Sequence, residues 1–347
     1  MKQRIDKNSA EIANQTMKLR KTSKKGTENR PGGALINLPE VTRMTVTVVT
    51  DNYSDAIRPD VSITKRYRSG PGESIHAGHG LSFYIETQLN RKSHAMMFDY
   101  GPDAYIAVRN MELLHIDPGK INSFGLSHGH LDHWGGLVGF LRHHRDRILP
   151  GTPLYVGPET FAHRYSVNLT TLVRTDIGRL RKKDIESLGA VEIREIKEPT
   201  EAIPGCWLTG DIERVTEYEK GTPTLLIKRR GKVERDFMMG EQGLVSNVKG
   251  KGLVVISGCA HAGIVNTVKH AQKMTGVERV HAIIGGFHLV NSPSDLISKT
   301  MADIQAMKPD YVIATHCTGF EAMATFAKEM PDQFIINTAG TKYTFDS

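Results

Sequence analysis

From Met44 onward, short apolar runs alternate with stretches whose apolar residues recur every three to four positions. "MTVTVVT" alternates and is β-branched, which predicts a strand. "LSFYIET" and "HAMMFDYG", joined by the polar "QLNRKS", predict a hairpin, and "INSFGLS" predicts a further strand. In "WGGLVGFLRHHRDRI", Leu137, Phe140, Leu141 and Ile148 fall on one helical face. "PLYVG" and "VEIREI" are shorter strand candidates. The second half repeats a strand-then-helix unit: "GLVVISG" before "HAGIVNTVKHAQKM", "VHAIIGG" before "SDLISKTMADIQAMK", and "DYVIATH" before "GFEAMATFAKEM". Ser292 and Pro293 mark the start of the middle helix, and "FIINTAGTKYTF" predicts a closing pair of strands. Such alternation predicts an α/β protein whose sheets are covered by helices.

The segment before this body is different. Residues 1–43 predict a basic, flexible tail ahead of one catalytic domain over 44–347, because the opening stretch is polar and lacks an apolar core. Residues 1–30 hold nine Lys or Arg against three Asp or Glu, which is six of the formal +7 of the 347-residue chain. The body is thus close to neutral, so the basic balance argues little for nucleic acid as a partner. Surface runs such as "RLRKKD" and "IKRRGK" read as solvated decoration. No apolar run approaches the ~20 residues a membrane span needs. Cys206, Cys259 and Cys317 are too few for a disulfide framework, and a reducing cytoplasm is the expected location.

The candidate chemistry lies where the histidines fall. "FGLS" is followed by His128, His130 and His133, "VVISGC" by His261, "AIIGG" by His288 after one Phe, and "VIAT" by His316. Residues just past the carboxyl ends of strands gather along one sheet edge, so separate segments can deliver these rings to one point. Imidazole and carboxylate suit zinc, iron or manganese. In His128-Gly129-His130-Leu131-Asp132-His133, the first two histidines can share one ion while Asp132 and His133 turn to a second. Two ions about 4 Å apart clamp phosphate-like oxyanions and activate water. Gly129, Gly135 and Gly136 are expected to let the backbone bend close to them. His143 and His144, on a charged helix face, and His163, His270 and His281 read as structural.

An H-x-H-x-D-H group after a strand resembles the signature of the metallo-β-lactamase superfamily, and the resemblance runs from Met44 to Phe345. It implies an αββα sandwich, two mixed sheets flanked by helices, with the site at one edge. More narrowly, "GHGLSFYIET", "SHGHLDHWGGL", "GLVVISGCAHAGIVNTV", "IIGGFHL" and "THCTGFEA" resemble the branch typified by 7,8-dihydropterin-6-methyl-4-(β-D-ribofuranosyl)aminobenzene-5′-phosphate synthase. That branch implies displacement of pyrophosphate from a dihydropterin methyl diphosphate by an aminobenzene nitrogen. It further implies two divalent ions, zinc first and iron, manganese or magnesium after it, and a small anionic substrate of phosphorylated, pterin-like kind. His128 and His130 match ligands of the first ion, and Asp132, His133 and His316 those of the second, with Asp99 in "MMFDYG" supporting them from behind.

Two departures leave alternatives open. Where many superfamily hydrolases carry a bridging aspartate, this chain has Cys259, either a thiolate ligand or a buried thiol beside the site. No separate mid-chain ligand histidine has a counterpart, which makes His261 the candidate to complete the first ion. "GEQGLV" replaces an aspartate pair, and Glu241 there is a weak candidate for a role at the site. Asp132, His288 and His79 are the candidates for acid–base or substrate-contact roles, and Asn52 is expected on the same edge. The competing readings are a metal-dependent hydrolase, phosphodiesterase- or nuclease-like, and a non-catalytic metal or redox sensor. A homo-oligomer is compatible with all of them.

Overall fold

A computed structural model describes residues 35–347, which fold into two large sheets packed face to face with helices on their outer sides. The first sheet runs Glu192–Glu195, Pro153–Val156, Ser123–Gly125, Lys92–Phe98, Ser82–Leu89, Arg43–Thr50, Thr341–Asp346 and Thr64–Arg66. The second runs Thr200–Ile203, Cys206–Leu208, Leu244–Val248, Gly252–Ile256, Val280–Gly286 and Tyr311–Thr315, with Glu40–Val41 also paired to Leu244–Val248. Both mix parallel and antiparallel neighbours, which is the expected αββα arrangement.

Period-two alternation explains the layers. In Gly252–Ile256, Val254 and Ile256 face the core between the sheets, while Leu253 and Val255 face the helices Ile264–Thr275, Ser294–Met307 and Phe320–Glu329. In Arg43–Thr50, Met44, Val46 and Val48 enter the inter-sheet core, and Val49 meets the layer of Ala104–Leu113 and Leu137–His143. Covered on both faces, Gly252–Ile256 reads as an unbroken apolar run, whereas Arg43–Thr50 keeps its alternation by burying Thr45 and Thr47. The hairpin through "QLNRKS" forms with Asn90 and Arg91 both at positive φ, 52° and 63°, the two-residue turn that matches strand twist.

The structure departs from expectation in five places. First, residues 35–43 are part of the folded body. The Ile36 N–H donates to Met274 O at 2.9 Å, and Glu40–Val41 pair with Asn247 and Val248. The rest of the expected tail, residues 1–34, lies outside the described residues. Second, the helix after the histidine group is broken into Leu131–Trp134 and Leu137–His143, and Ile148 reaches the core from the turn beyond it. Third, only Thr341–Asp346 of the expected closing pair is a strand, Phe334 making an isolated bridge to Val312. The loop between them is held by Asn337, which accepts from the Tyr343 hydroxyl and donates to Asp51.

Fourth, a small third sheet, Lys232–Arg235, Leu225–Arg229, His163–Val167 and Arg174–Gly178, joins the two expected ones. Its strands are short and charged, so they carry little apolar signal, although the Arg230-Gly231 turn with both φ positive is a hairpin cue. Fifth, His144 is buried against Phe140 rather than displayed on a charged face, and its Nε2 has no hydrogen-bond partner. Burial, with His143 next, holds its pKa down to about 4 against the ordinary 6.5. Above pH 6.5 neither folded nor unfolded chain is charged there. Between pH 6.5 and 4 the unfolded chain takes a proton the fold refuses, so stability falls as pH falls. His144→Leu should therefore lose less stability between pH 7 and pH 5 than the wild type, as read by urea denaturation. Equal losses would remove His144 from the account.

Among the described residues, no helix is long and apolar enough to cross a membrane.

Candidate metal centre

Strand direction delivers the site. Gly252–Ile256, Val280–Gly286 and Tyr311–Thr315 run parallel, so Cys259 and His261, then His288, then His316, leave the second sheet at one edge. In the first sheet, Lys92–Phe98 and Ser123–Gly125 are also parallel and end in Asp99 and His128. The two edges meet. His128, His130 and His261 offer ligand atoms within 4.8 Å of one another, as do Asp132, His133, Cys259 and His316, and also Cys259, His261 and His288. The first two sets adjoin, with the His128 and His133 rings 4.2 Å apart.

Hydrogen bonds behind these rings fix which nitrogen points inward. The Ser127 hydroxyl has one proton and gives it to Asp99 Oδ2 at 2.7 Å, so its oxygen accepts from His128 Nδ1 at 2.9 Å. That leaves the His128 Nε2 lone pair facing the cluster. His133 Nδ1 donates to Asp99 Oδ2 at 2.6 Å, which leaves Nε2 3.0 Å from Cys259 Sγ. His316 Nδ1 donates to Asn52 Oδ1 at 2.9 Å, and its Nε2 stands 3.2 Å from Asp132 Oδ2, near but without hydrogen-bond geometry. Three histidines from two sheets are thus each held by Nδ1 with Nε2 turned inward, the arrangement metal-binding imidazoles adopt. His130 Nε2 and both ring nitrogens of His261 are buried without partners, a costly state for polar atoms that a bound cation would relieve. The donor set fits divalent cations.

Charge agrees with geometry. Burial, then neighbouring imidazoles, hold His128 and His261 well below the usual histidine range. Burial, with Arg164 next, brings His130 down to about 3. These rings are neutral, as ligands must be. His133 goes the other way: burial opposes its charge, but Asp99 and Asp132 raise it to about 9. Carboxylates that hold a second proton on a ring would hold a cation there equally well. Burial also opposes the Asp132 charge, yet His133 and His316 keep its carboxyl well below the ordinary range. The Cys259 thiol is pushed up by burial, so thiolate there calls for a cation beside it.

The backbone is strained where these groups converge. Asp99, Ala260, His288 and His316 all have positive φ, between 48° and 61°, without being glycine. Asp99 is held by Ser127, whose N–H and hydroxyl both donate to it at 2.7 Å. The glycines of the group act otherwise than expected: none of Gly129, Gly135 and Gly136 has positive φ. A Cβ at Gly135 would lie 2.0 Å from Pro102 O and one at Gly136 2.2 Å from Tyr100 O, so these glycines permit close packing rather than a bend.

Sequence reasoning missed what lies under the loop. Arg164, buried, gives Nε to Asp236 Oδ2 at 2.8 Å and Nη1 to Gly129 O at 3.3 Å, while Trp134 Nε1 donates to the same carbonyl at 3.1 Å. Arg164 stands in a charged strand with no motif around it, so nothing in the sequence marks it. Glu241 is not among the converging groups: its carboxylate accepts the N–H of His261 at 2.8 Å and of Ala262 at 2.6 Å, and so positions the turn that carries His261. Asp51, also buried, accepts from Asn52 N and Asn337 Nδ2, both at 2.7 Å, and from the Thr315 hydroxyl, beside His316.

His288 completes the third set, its ring 4.2 Å from that of His261 and its Nδ1 buried without a partner. His79 is largely exposed at the mouth, its Nε2 3.8 Å from Asp132 Oδ2 and its ring 5.1 Å from that of His316. His163 pairs with Asp176 at 2.8 Å and His281 with Asp310 at 2.6 Å, while His270 Nε2 donates to Thr209 O, 3.2 Å away. None of these three belongs to the converging sets. The edge opens into a cavity of about 1130 Å³ whose lining joins His79, Asp132, Cys259, His261, His288 and His316 to a set of apolar residues, with Arg58 and Asp176 also on it.

An αββα frame with a histidine-rich edge where two sheets meet defines a class, and residues 77–206 match the model of the metallo-beta-lactamase superfamily. The chain belongs to that superfamily. Among its relatives is the 7,8-dihydropterin-6-methyl-4-(beta-D-ribofuranosyl)-aminobenzene-5′-phosphate synthase of Methanocaldococcus jannaschii, 33% identical over 269 residues, 77% of this chain and 90% of that protein. The uncharacterized protein MJ0448 of the same organism is 27% identical over 258 residues, 74% of this chain and 90% of that one. The crystal structure of Tm1679, a metal-dependent hydrolase of the beta-lactamase superfamily, superposes with a TM-score of 0.67 at 25% identity, over 88% of this chain and 100% of that one.

Proposed function

We propose that the protein is a dinuclear metalloenzyme that transfers a dihydropterin-type methyl group from its diphosphate to an aromatic amine, releasing pyrophosphate. The observation that carries this is the pair of adjoining donor sets, His128, His130 and His261 beside Asp132, His133, Cys259 and His316. The resemblance to the methanopterin-type synthase over most of both chains supports the substrate. Cys259 belongs to the second set and stands with His261 and His288 in the third, so as a thiolate it would hold the second ion on the side that faces His261. Two divalent ions, zinc by preference for imidazole and thiolate donors, would supply the positive charge a diphosphate needs. Among the described residues, Arg58 is the one Lys or Arg in the cavity lining, so their own contribution to that charge is small.

The reaction breaks the carbon–oxygen bond to the diphosphate, whose oxygen keeps the electron pair, and forms a carbon–nitrogen bond. The amine then loses a proton. His288, with a buried unpartnered Nδ1 on the cavity wall, takes that proton, and His79 at the mouth donates to the departing oxyanion. Asn52 and Asp99 hold the imidazoles still while this happens. The folded body, Glu40–Val41 included, acts as one catalytic unit in this reading.

A hydrolytic reading has one observation in its favour, the likeness to the metal-dependent hydrolase Tm1679. There, water replaces the amine at the same edge. Metal analysis beside an assay of pyrophosphate release from dihydropterin methyl diphosphate separates the two. About two metals per chain, with release that depends on an aminobenzene acceptor and vanishes in His128→Ala, is the expected result. Acceptor-independent release would make the enzyme a hydrolase. One metal or none, unchanged in His128→Ala, would end the dinuclear proposal.

A further inference from the structure

The helix Phe320–Glu329 has two apolar faces, where a surface helix needs one. Ala322 and Phe326 enter the core behind the second sheet. Phe320, Met323, Ala324 and Ala327, spaced three and four apart, line the cavity instead. Phe320 is 77% exposed there. Leu131 at 45% and Val290 at 44% exposure face the same opening.

These apolar groups come from the very loops that build the histidine edge. Leu131 sits between His130 and Asp132, Val290 two residues past His288, and Phe320 four past His316. Gly319, at φ 82°, lets its backbone pack against Val290, since a Cβ there would come within 2.9 Å of Val290 Cα. The wall and the edge are thus one construction, and an occupant of one is continuous with an occupant of the other. A cavity of about 1130 Å³ also exceeds what a diphosphate alone would fill. The wall carries no charge, so the part of the occupant that rests on it is uncharged. A flat ring suits it, because Phe320 offers an aromatic face and Met323 a polarizable sulfur.

We propose that this wall binds the aromatic body of the substrate whose anionic end lies at the histidine edge, with Phe320 and Met323 as its specificity-determining side chains. The proposal rests on the reading that the edge takes an anionic small molecule. Titration calorimetry on the full-length, zinc-loaded protein tests it with two inert probes, methylphosphonate and phenylphosphonate. They share the anionic head and differ in the ring. The expected result is tighter binding of phenylphosphonate by about tenfold or more, the effect of burying one ring face. In Phe320→Ser/Met323→Ser that ratio should fall toward one, while methylphosphonate affinity and zinc content stay at wild-type values. Both positions are at least partly exposed, so the double variant should fold.

Equal affinities of the two probes in the wild type would overturn the proposal and leave the anionic reading intact, the wall then being covered by another segment or a second copy of the chain. A preference that survives the double variant would also overturn it. Binding of neither probe would remove the anionic reading and this proposal together.

Discussion

Asp132→Asn is expected to leave the fold in place, reduce bound metal from two to about one per chain, and slow turnover by about a thousandfold. Among the described residues, Asp132 is the one carboxylate in the converging donor sets, and His133 and His316 both stand against it, at 3.7 and 3.2 Å. Asparagine keeps the size and one oxygen but removes the charge that balances a second cation. Losing transition-state charge stabilisation of several kcal/mol corresponds to about a thousandfold in rate. The measurement is metal content by mass spectrometry together with initial rates at saturating zinc. Full metal content with full rate would place Asp132 outside the centre. Full content with a slow rate would confine its role to substrate.

Asp236→Ala should be the most damaging change outside the histidine edge. It strips the partner from a guanidinium that is 2% exposed, and removing one member of a buried pair costs about 3–5 kcal/mol because the remaining charge has no water to turn to. Arg164 also braces the Gly129 carbonyl between His128 and His130, so the damage extends to the metal loop. Denaturant unfolding should show the loss, and zinc affinity should fall with it. The double change Arg164→Met/Asp236→Leu separates the two effects, since it removes the stranded charge. It should recover much of the stability without recovering the bracing of the loop. Recovery of both would mean that Arg164 does no more than fill space.

The strands and the histidines were legible because each obeys a local rule. "GLVVI" and "VHAIIGG" are apolar without alternation because they are covered on both faces, and a histidine behind each strand end is visible without knowing the partner strand. What escaped reading depends on contacts distant in sequence. Asp236 is 72 residues from Arg164, and Glu241 reaches forward 20 residues to the N–H of His261. The role of Asn52 depends on His316, 264 residues away. The helix after His133 was read as continuous because its apolar spacing continues. At the break the Gly136 N–H leaves the helical ladder and donates to Gly101 O at 3.2 Å, a contact 35 residues back that no spacing records. His144 differs from these: it lies four residues after Phe140, on the apolar face, and the charged residues on either side of it mask that local cue.

The candidate ligands come from both sheets, with His128, His130, Asp132 and His133 on one and Cys259, His261 and His316 on the other. On the proposed reading, a cation shared between them would be a cross-link as well as a reagent. It closes chain loops of more than a hundred residues, much as a disulfide would, but reversibly and under the control of free metal concentration. Neither sheet can assemble the full donor set alone. Tight metal uptake thus belongs to the final joining of the two halves, and a chelator should loosen that seam before it disturbs either sheet.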